Sequence, residues 1–328
     1  MLATPLLRAL RKSFPEAFIA VLVRPYTRDL MLHHPAVDEI IVDDPGGAHR
    51  GRTGFLGQVR ELRRHRFDTA LLLLPTERMA WMLWAAGIRT RVGVGMKLYE
   101  ALTFMRTVSR HKYIPLRHEA DYCLDLGRSI GAEPDGLDVE LFLTTAERGA
   151  ARTMLHERGW NASGGRLIGI HPGSGRSSPN WRIGRYAEFV SLLLRQKDIQ
   201  VVLTGSPDER AYAETFRAEV PGRIIDLVGQ LSLRELMAVI AHEQVLVSSS
   251  TGPMHIAAGL KVPTVSLFCP LTACSPELWG PRGNRSEVVL PPADYCATRC
   301  PGDPHICDLE GGTEPVTVLA ALQRILPA

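Results

Sequence analysis

Short apolar runs of strand length alternate with segments of helical periodicity along nearly the whole chain, and this alternation limits the folds open to it. In the first half, Leu6, Leu10 and Phe14 fall at i, i+4 and i+8, a helical stripe. "FIAVLV" (18–23) and "EIIVDD" (39–44) read as strands, and 45–54 as a Gly-rich loop. Phe55, Val59 and Leu62 mark a helix, and "FDTALLLL" (67–74) and "RVGVG" (91–95) are strands. A helix at 118–130 and a strand at 137–143 follow. The second half repeats the rhythm: strands at 166–173, 199–205, 223–229, 245–248 and 263–268, with helices at 184–197, from Pro207, 232–242 and 253–259 between them. Such alternation predicts parallel sheets covered by helices on both faces.

At 328 residues the chain suits two domains. The Gly-rich interval 144–165 marks the boundary, giving domains over 1–150 and 165–312 and a C-terminal helix over 313–328. Val318, Leu322 and Ile325 share one face of that helix. The first domain opens directly on a helix, without the strand that begins a doubly wound unit. The N-terminus lacks the basic-then-apolar order of a signal peptide, and no apolar run reaches the roughly 20 residues of a membrane span, so a cytoplasmic protein is expected. Residues 1–117 carry 19 Lys+Arg against 10 Asp+Glu, and the remainder carries 19 against 25. A basic first half suits an anionic partner. No nucleic-acid recognition signature is present, so nucleic acid is not expected.

Three loops in the second half concentrate the chemistry. "GIHPGSGRSSPNW" (169–181) ends a strand on a Gly- and Ser-rich turn whose N–H groups can form an anion nest, with Arg176 adding charge. No Gly-Lys-Ser/Thr follows, so it is not a P-loop. "VLVSSSTGPMHIAAG" ends a strand at a helix start, where Ser250 or Thr251 can cap and Pro253 suits the first turn. Free N–H groups there accept an anion, with His255 close by. "LTGSPDE" (203–209) places Glu209 in a first helical turn, either complementing the dipole or accepting from a ribose hydroxyl. Each loop also has an ordinary structural reading; two at equivalent strand ends of one domain point to a diphosphate.

"HPGSG…NW", "LTGSPDE", "LVGQLSLRELMAVI" and "STGPMHIAAGLKVPTVSLFCP…WGP", in that order, resemble the lipopolysaccharide heptosyltransferases of glycosyltransferase family 9 over nearly the whole chain. The resemblance implies a GT-B fold, two Rossmann-like doubly wound domains facing across a cleft, here with the first strand of the N-terminal domain missing and with the C-terminal helix over 313–328 packing back on the first domain. It implies inverting transfer of heptose from ADP-heptose to a lipopolysaccharide-core acceptor, with no cofactor and no metal at the diphosphate. Ser174, Gly175 and Arg176 would hold phosphate, and Glu209 the nucleoside, with Leu231 near its pocket. Ser250, Thr251, Gly252 and His255 match the motif that contacts diphosphate and sugar. The partners implied are an ADP-sugar donor and an anionic lipid-linked saccharide, with peripheral contact at the cytoplasmic face of the inner membrane. Arg60, Arg63 and Arg64 are acceptor contacts on charge alone.

Three departures qualify the resemblance. Ser250 stands where many members have aspartate, and Pro179 where many have a donor-contacting lysine. The family's proposed catalytic aspartate would precede Met1, so no catalytic residue is assigned, and nucleotide binding with little transfer is expected. The alternatives are a GT-B transferase using another nucleotide sugar and a non-catalytic nucleotide-sugar-binding homologue. In the tail, Cys296, Cys300, His305 and Cys307 lie close together, but their spacing lacks the two-residue knuckles of zinc sites and fits no iron–sulfur run. Free thiols and no metal are the expectation.

Overall fold

The computed structural model describes residues 1–95, 97–109, 114–175, 178–220, 222 and 224–326. The chain divides into two compact units, Leu2–Leu137 and Asp138–Ala328. The division falls ahead of the interval 144–165, so the helix within that interval belongs to the second unit.

The first unit runs α1 (Thr4–Ser13), β1 (Ala20–Val23), β2 (Glu39–Val42), α2 (Gly51–His65), β3 (Thr69–Leu71), α3 (Glu77–Ala85), β4 (Thr90–Val94), α4 (Leu98–Leu102), β5 (Arg106–Val108) and α5 (Glu119–Arg128). Pro5 lies at the start of α1, where its missing N–H costs nothing, and Arg11 and Lys12 complement the dipole at its end. Leu6 and Ala9 bury their stripe against Leu124 of α5. The strands are parallel but form two sheets, β1-β2 and β3-β4-β5, rather than one doubly wound sheet. Among the described residues no ladder joins β1 to β3. A shared apolar cluster holds the two sheets together, with Ile41, Val59, Leu62, Leu72 and Met82 at its centre and Leu22 and Ala70 packed against it.

The second unit runs α6 (Thr145–Glu157), β6 (Arg166–His171), α7 (Ile183–Leu193), β7 (Ile199–Leu203), α8 (Arg210–Glu219), β8 (Ile224–Asp226), α9 (Leu233–Ile240), β9 (Val245–Ser249), α10 (Gly252–Gly259), β10 (Thr264–Leu267), α11 (Pro276–Trp279), β11 (Ser286–Val289), α12 (Tyr295–Thr298) and α13 (Pro315–Ile325). Among the described residues its six strands are parallel in the order β11-β10-β9-β6-β7-β8. The chain therefore starts at the centre, winds out through β7 and β8, then crosses to β9 and winds out the other way. The reversal between β6 and β9 makes a topological switch point, and sheets of this kind usually take their ligand outside the carboxyl ends of the strands there.

Two expectations need correction. Residues 137–143 form no strand: Val139 and Leu141 are buried, yet each N–H makes one isolated bond, to the carbonyls of Arg282 and Gly259. Their alternation records burial, not a ladder. The C-terminal helix α13, expected on the first domain, packs into the second unit's own core. Val318, Leu322 and Ile325 lie among Val190, Leu193 and Val265, against α7 and beside β10 and β11.

Candidate functional site

Three loops leave the carboxyl ends of the adjacent strands β7, β6 and β9. The sequence places buried residues on the strands and polar ones just beyond. The pattern of β9 is fully buried through Ser249, and the chain then turns into α10. Thr251 occupies the N-cap position of α10, but its side chain makes no cap hydrogen bond. Buried Thr251 Oγ1 and Ser249 Oγ have no hydrogen-bond partner among the described residues. The expected side-chain cap is thus absent. The helix end keeps its N–H groups and positive dipole end available, with a hydroxyl beside them, the arrangement that accepts an anion. Gly252 is exposed at the opening, and Ser250 is half-buried one residue before the cap. His255 is largely buried in the first turn, with its backbone N–H directed to the Thr251 carbonyl at 3.4 Å. Helical side chains tilt toward the N-terminus, which carries the imidazole back toward the open end.

The loop after β6 begins at His171, whose Nδ1 lies 2.9 Å from Thr204 Oγ1 at the end of β7. Burial depresses this histidine to about 4, so the ring is neutral at pH 7 and acts as a hydrogen-bonding strut. Ser174 is half-buried and Gly175 is exposed with φ +54°, the left-handed region that glycine enters without strain. Arg176 lies outside the described residues. Farther along, Asn180 donates through Nδ2 to the Pro172 carbonyl at 2.5 Å and accepts from Tyr186 at 2.8 Å. Trp181 Nε1 donates to the Thr313 carbonyl at 3.0 Å. These bonds anchor both ends of the loop.

The loop after β7 positions Glu209. Ser206 and Glu209 form a reciprocal capping box, with the Ser206 N–H donating to the carboxylate at 2.8 Å. The carboxylate also lies over Gly173: a Cβ there would stand 1.9 Å from Glu209 Oε1. Gly173 is therefore what lets the two loops meet. Leu231 lies beyond β8, half-buried against the cluster of Leu227 and Val239, one residue before the α9 cap Ser232. The Gly229 N–H donates to the Gly205 carbonyl at 2.9 Å, which ties its loop to that of Glu209.

Arg60, Arg63 and Arg64 are not brought to strand ends of this kind. They occupy the last turns of α2, which deliver the chain to the amino end of β3. Arg63 Nε donates to the Ala85 carbonyl at 2.9 Å, and Arg64 pairs with Glu61. A polar cluster not anticipated from the sequence lies at the carboxyl end of β2. Buried Asp43 is met by Arg78 at 3.0 Å, Arg24 at 3.4 Å and His49 at 3.9 Å. Its signal was the acid immediately after the strand in "IIVDD". A recess of about 650 Å³ opens along β2 and α2, lined by Ile41, Thr53, Gly54, Gly57, Gln58 and Glu61. It belongs to the first unit and lacks the anion-binding groups of the three loops.

A parallel sheet in this order, with a helix starting at its switch point, defines a doubly wound α/β protein. The chain belongs to glycosyltransferase family 9 (heptosyltransferase), whose family model matches residues 56–301. It is 28% identical over 298 residues to the lipopolysaccharide heptosyltransferase 2 of Escherichia coli K12, covering 88% of this chain and 84% of that protein. Among solved structures, the glycosyl transferase family 9 protein of Veillonella parvula superposes with a TM-score of 0.82 at 22% identity, covering 99% of this chain and 92% of that one. The E. coli ADP-heptose lps heptosyltransferase II gives 0.76 at 22% identity, covering 99% and 94%. At that identity the structural likeness speaks for the fold, which is of the GT-B type. The chain is a glycosyltransferase.

Proposed function

We propose that the chain moves heptose from ADP-heptose to an anionic lipid-linked saccharide of the lipopolysaccharide core, with inversion and without a metal at the diphosphate. The observation that carries this reading is the open N-terminus of α10 at the β6/β9 reversal, with the Thr251 hydroxyl unpartnered among the described residues. In this reading the diphosphate rests on the α10 N–H groups, with Ser174 and Gly175 on its other side. Glu209 accepts from the nucleoside, and Leu231 lines its pocket. An acceptor hydroxyl attacks the anomeric carbon from the face opposite the diphosphate and loses its proton to solvent, the new glycosidic bond forming as the bond to ADP breaks, and negative charge collects on the departing ADP. Fixed donors already aimed at that charge lower the barrier without reorganising. The acceptor, carried on a lipid, places the reaction at a membrane surface; among the described residues no helix is long and apolar enough to cross one.

Calorimetric titration of the chain with ADP, UDP and GDP tests the donor. ADP is expected to bind at least about tenfold more tightly than the others, a difference of roughly 1.4 kcal/mol. Tighter binding of UDP or GDP would overturn the assignment. Gly173→Ala supplies a second check. The added methyl must displace the Glu209 carboxylate, so ADP affinity should fall by about tenfold, the worth of a hydrogen bond to a charged group. Glu209→Ala should give a similar loss, and the double variant little more, because both remove one contact.

A further inference from the structure

The first unit carries an exposed apolar face on α3 and α4, outside the site described above. Leu98 and Leu102 stand four residues apart on α4, so they share one side of it, and they are 76% and 52% exposed. Phe104, two residues past Leu102, is 77% exposed, and Trp84, near the end of α3, is 47% exposed. Hydrogen bonds and packing draw these residues together. The helices α3 and α4 pack on each other. Tyr99 Oη donates to the Pro75 carbonyl at 3.0 Å, which ties the start of α4 to the entry of α3. At the other end, Arg91 donates to the Thr103 carbonyl at 2.7 Å and to the Ile88 carbonyl, so Phe104 and Trp84 stand at the same end of the pair.

Single apolar side chains on a surface are ordinary, but large ones grouped together in water mark a face that meets a partner. Phe104 sharpens the point. It is held at φ +52°, the left-handed region that a bulky residue rarely enters, and from there its ring projects into solvent. The charges around the face select the partner. The exposed charged residues of 74–109 are Arg89, Lys97, Arg106 and Glu77, three cations to one acid. Each cation adjoins the face: Lys97 precedes Leu98, Arg106 follows Phe104 by two residues, and Arg89 follows the Ile88 that Arg91 ties to α4. The other charges of the segment are engaged internally. Glu100 is buried and accepts from the Lys97 N–H at 2.8 Å, Arg91 is buried in the bonds just described, and Arg78 is paired with Asp43. Protein interfaces are depleted in lysine, whereas aliphatic and aromatic groups with a basic rim suit an anionic lipid surface.

We propose that this face docks on an anionic phospholipid bilayer, with Leu98, Leu102, Phe104 and Trp84 entering the boundary between headgroups and acyl chains and with Arg89, Lys97 and Arg106 against the lipid phosphates. Lysine and arginine suit such a rim, because their stems lie along apolar surface while their charged ends stay in water. A tryptophan at the boundary buries its ring and keeps its N–H in the polar layer. The surplus of 19 Lys+Arg over 10 Asp+Glu in residues 1–117 extends the same attraction. The face is small, α4 having five residues, so attachment is peripheral, reversible and weakened by salt. Docking presents the first unit to a lipid-carried acceptor. It rests on the proposed reaction for that purpose alone; the attraction itself needs neither donor nor acceptor.

The test is sedimentation of the full chain with vesicles of mixed phosphatidylcholine and phosphatidylglycerol, compared with vesicles of phosphatidylcholine alone. At about 0.1 M salt the anionic vesicles are expected to bind at least about tenfold more strongly, and about 1 M salt to release the protein. Leu98→Gln with Phe104→Asn, asparagine being a residue that tolerates left-handed backbone, should cut the partition coefficient at least about tenfold. Arg89→Gln with Lys97→Gln should cut it by about the same factor. Val316→Ser, a change of an exposed apolar residue in the second unit, should leave it unaltered. Should the Leu98 and Phe104 double variant unfold, Leu98→Gln alone decides, with an expected loss of about threefold or more. Equal binding to both kinds of vesicle overturns the proposal, and so does native partition in the Leu98 and Phe104 variant. Dimerisation in place of vesicle binding, abolished by the same variant, also overturns it and makes a second copy the occupant. ADP titration of the same samples keeps the two readings apart. A chain that binds ADP but no vesicle overturns docking alone, and one that binds vesicles but not ADP overturns the donor assignment alone.

Discussion

Glu243→Gln should abolish a loss of stability that the native chain suffers as pH rises from about 5 to 8. Glu243 lies between α9 and β9, and neither carboxylate oxygen has a partner among the described residues. Gly169 on the central strand β6 makes room for it, since a Cβ there would fall 1.9 Å from Oε2. Burial raises this carboxyl to about 8. The folded chain therefore keeps the proton that the unfolded chain gives up above the ordinary carboxyl value of 4.5. Between those values the folded state binds more protons, so stability falls with rising pH, by about 1.4 kcal/mol per unit. Below 4.5 both states are protonated and the group contributes no slope. By pH 8 the accumulated loss is about 4 kcal/mol, which glutamine, being neutral throughout, does not incur. Denaturant midpoints for native and variant chains at pH 5 and pH 8 measure the difference in slope. Parallel pH responses would show that the carboxyl is ionised or solvated in the folded protein.

His255→Ala combined with Thr251→Ala should remove most of the affinity for ADP, by about 100-fold or more, with a smaller loss from either change alone. Each side chain stands at the open end of α10, and each hydrogen bond to a charged group contributes roughly 1.5–3 kcal/mol. Helix N–H groups remain in the variants, so some binding persists. Calorimetry reads the affinity, and an unchanged circular-dichroism melt shows that the fold is intact. Affinity within twofold of the native value in the double variant would sink the assignment of this helix end to the diphosphate.

The strand-ending loops were legible because they obey local rules. Hydroxyls, glycines and a proline after an apolar run announce a strand passing into a helix, and that is how β9 meets α10. The capping box at Ser206 and Glu209 was likewise written in four consecutive residues. Other features were not local. The alternation at 137–143 looked like a strand because burial on alternate residues is half of what a strand requires; the ladder depends on a partner. The charge of the α2 arginines was visible in sequence, while the strand end that a helix leads to was not.

By itself, then, the sequence determined the parallel α/β class, the three loops that follow the strand ends of β6, β7 and β9, and the family. All of these follow from periodicity and from motifs held within a few consecutive residues. Only the tertiary structure decided that α13 completes the second unit's core and that Glu243 lies over Gly169 with no partner among the described residues. Each depends on contacts between residues far apart in the chain. Packing selects those contacts, because an apolar face or a carboxyl carries the same residues whichever neighbour finally covers it.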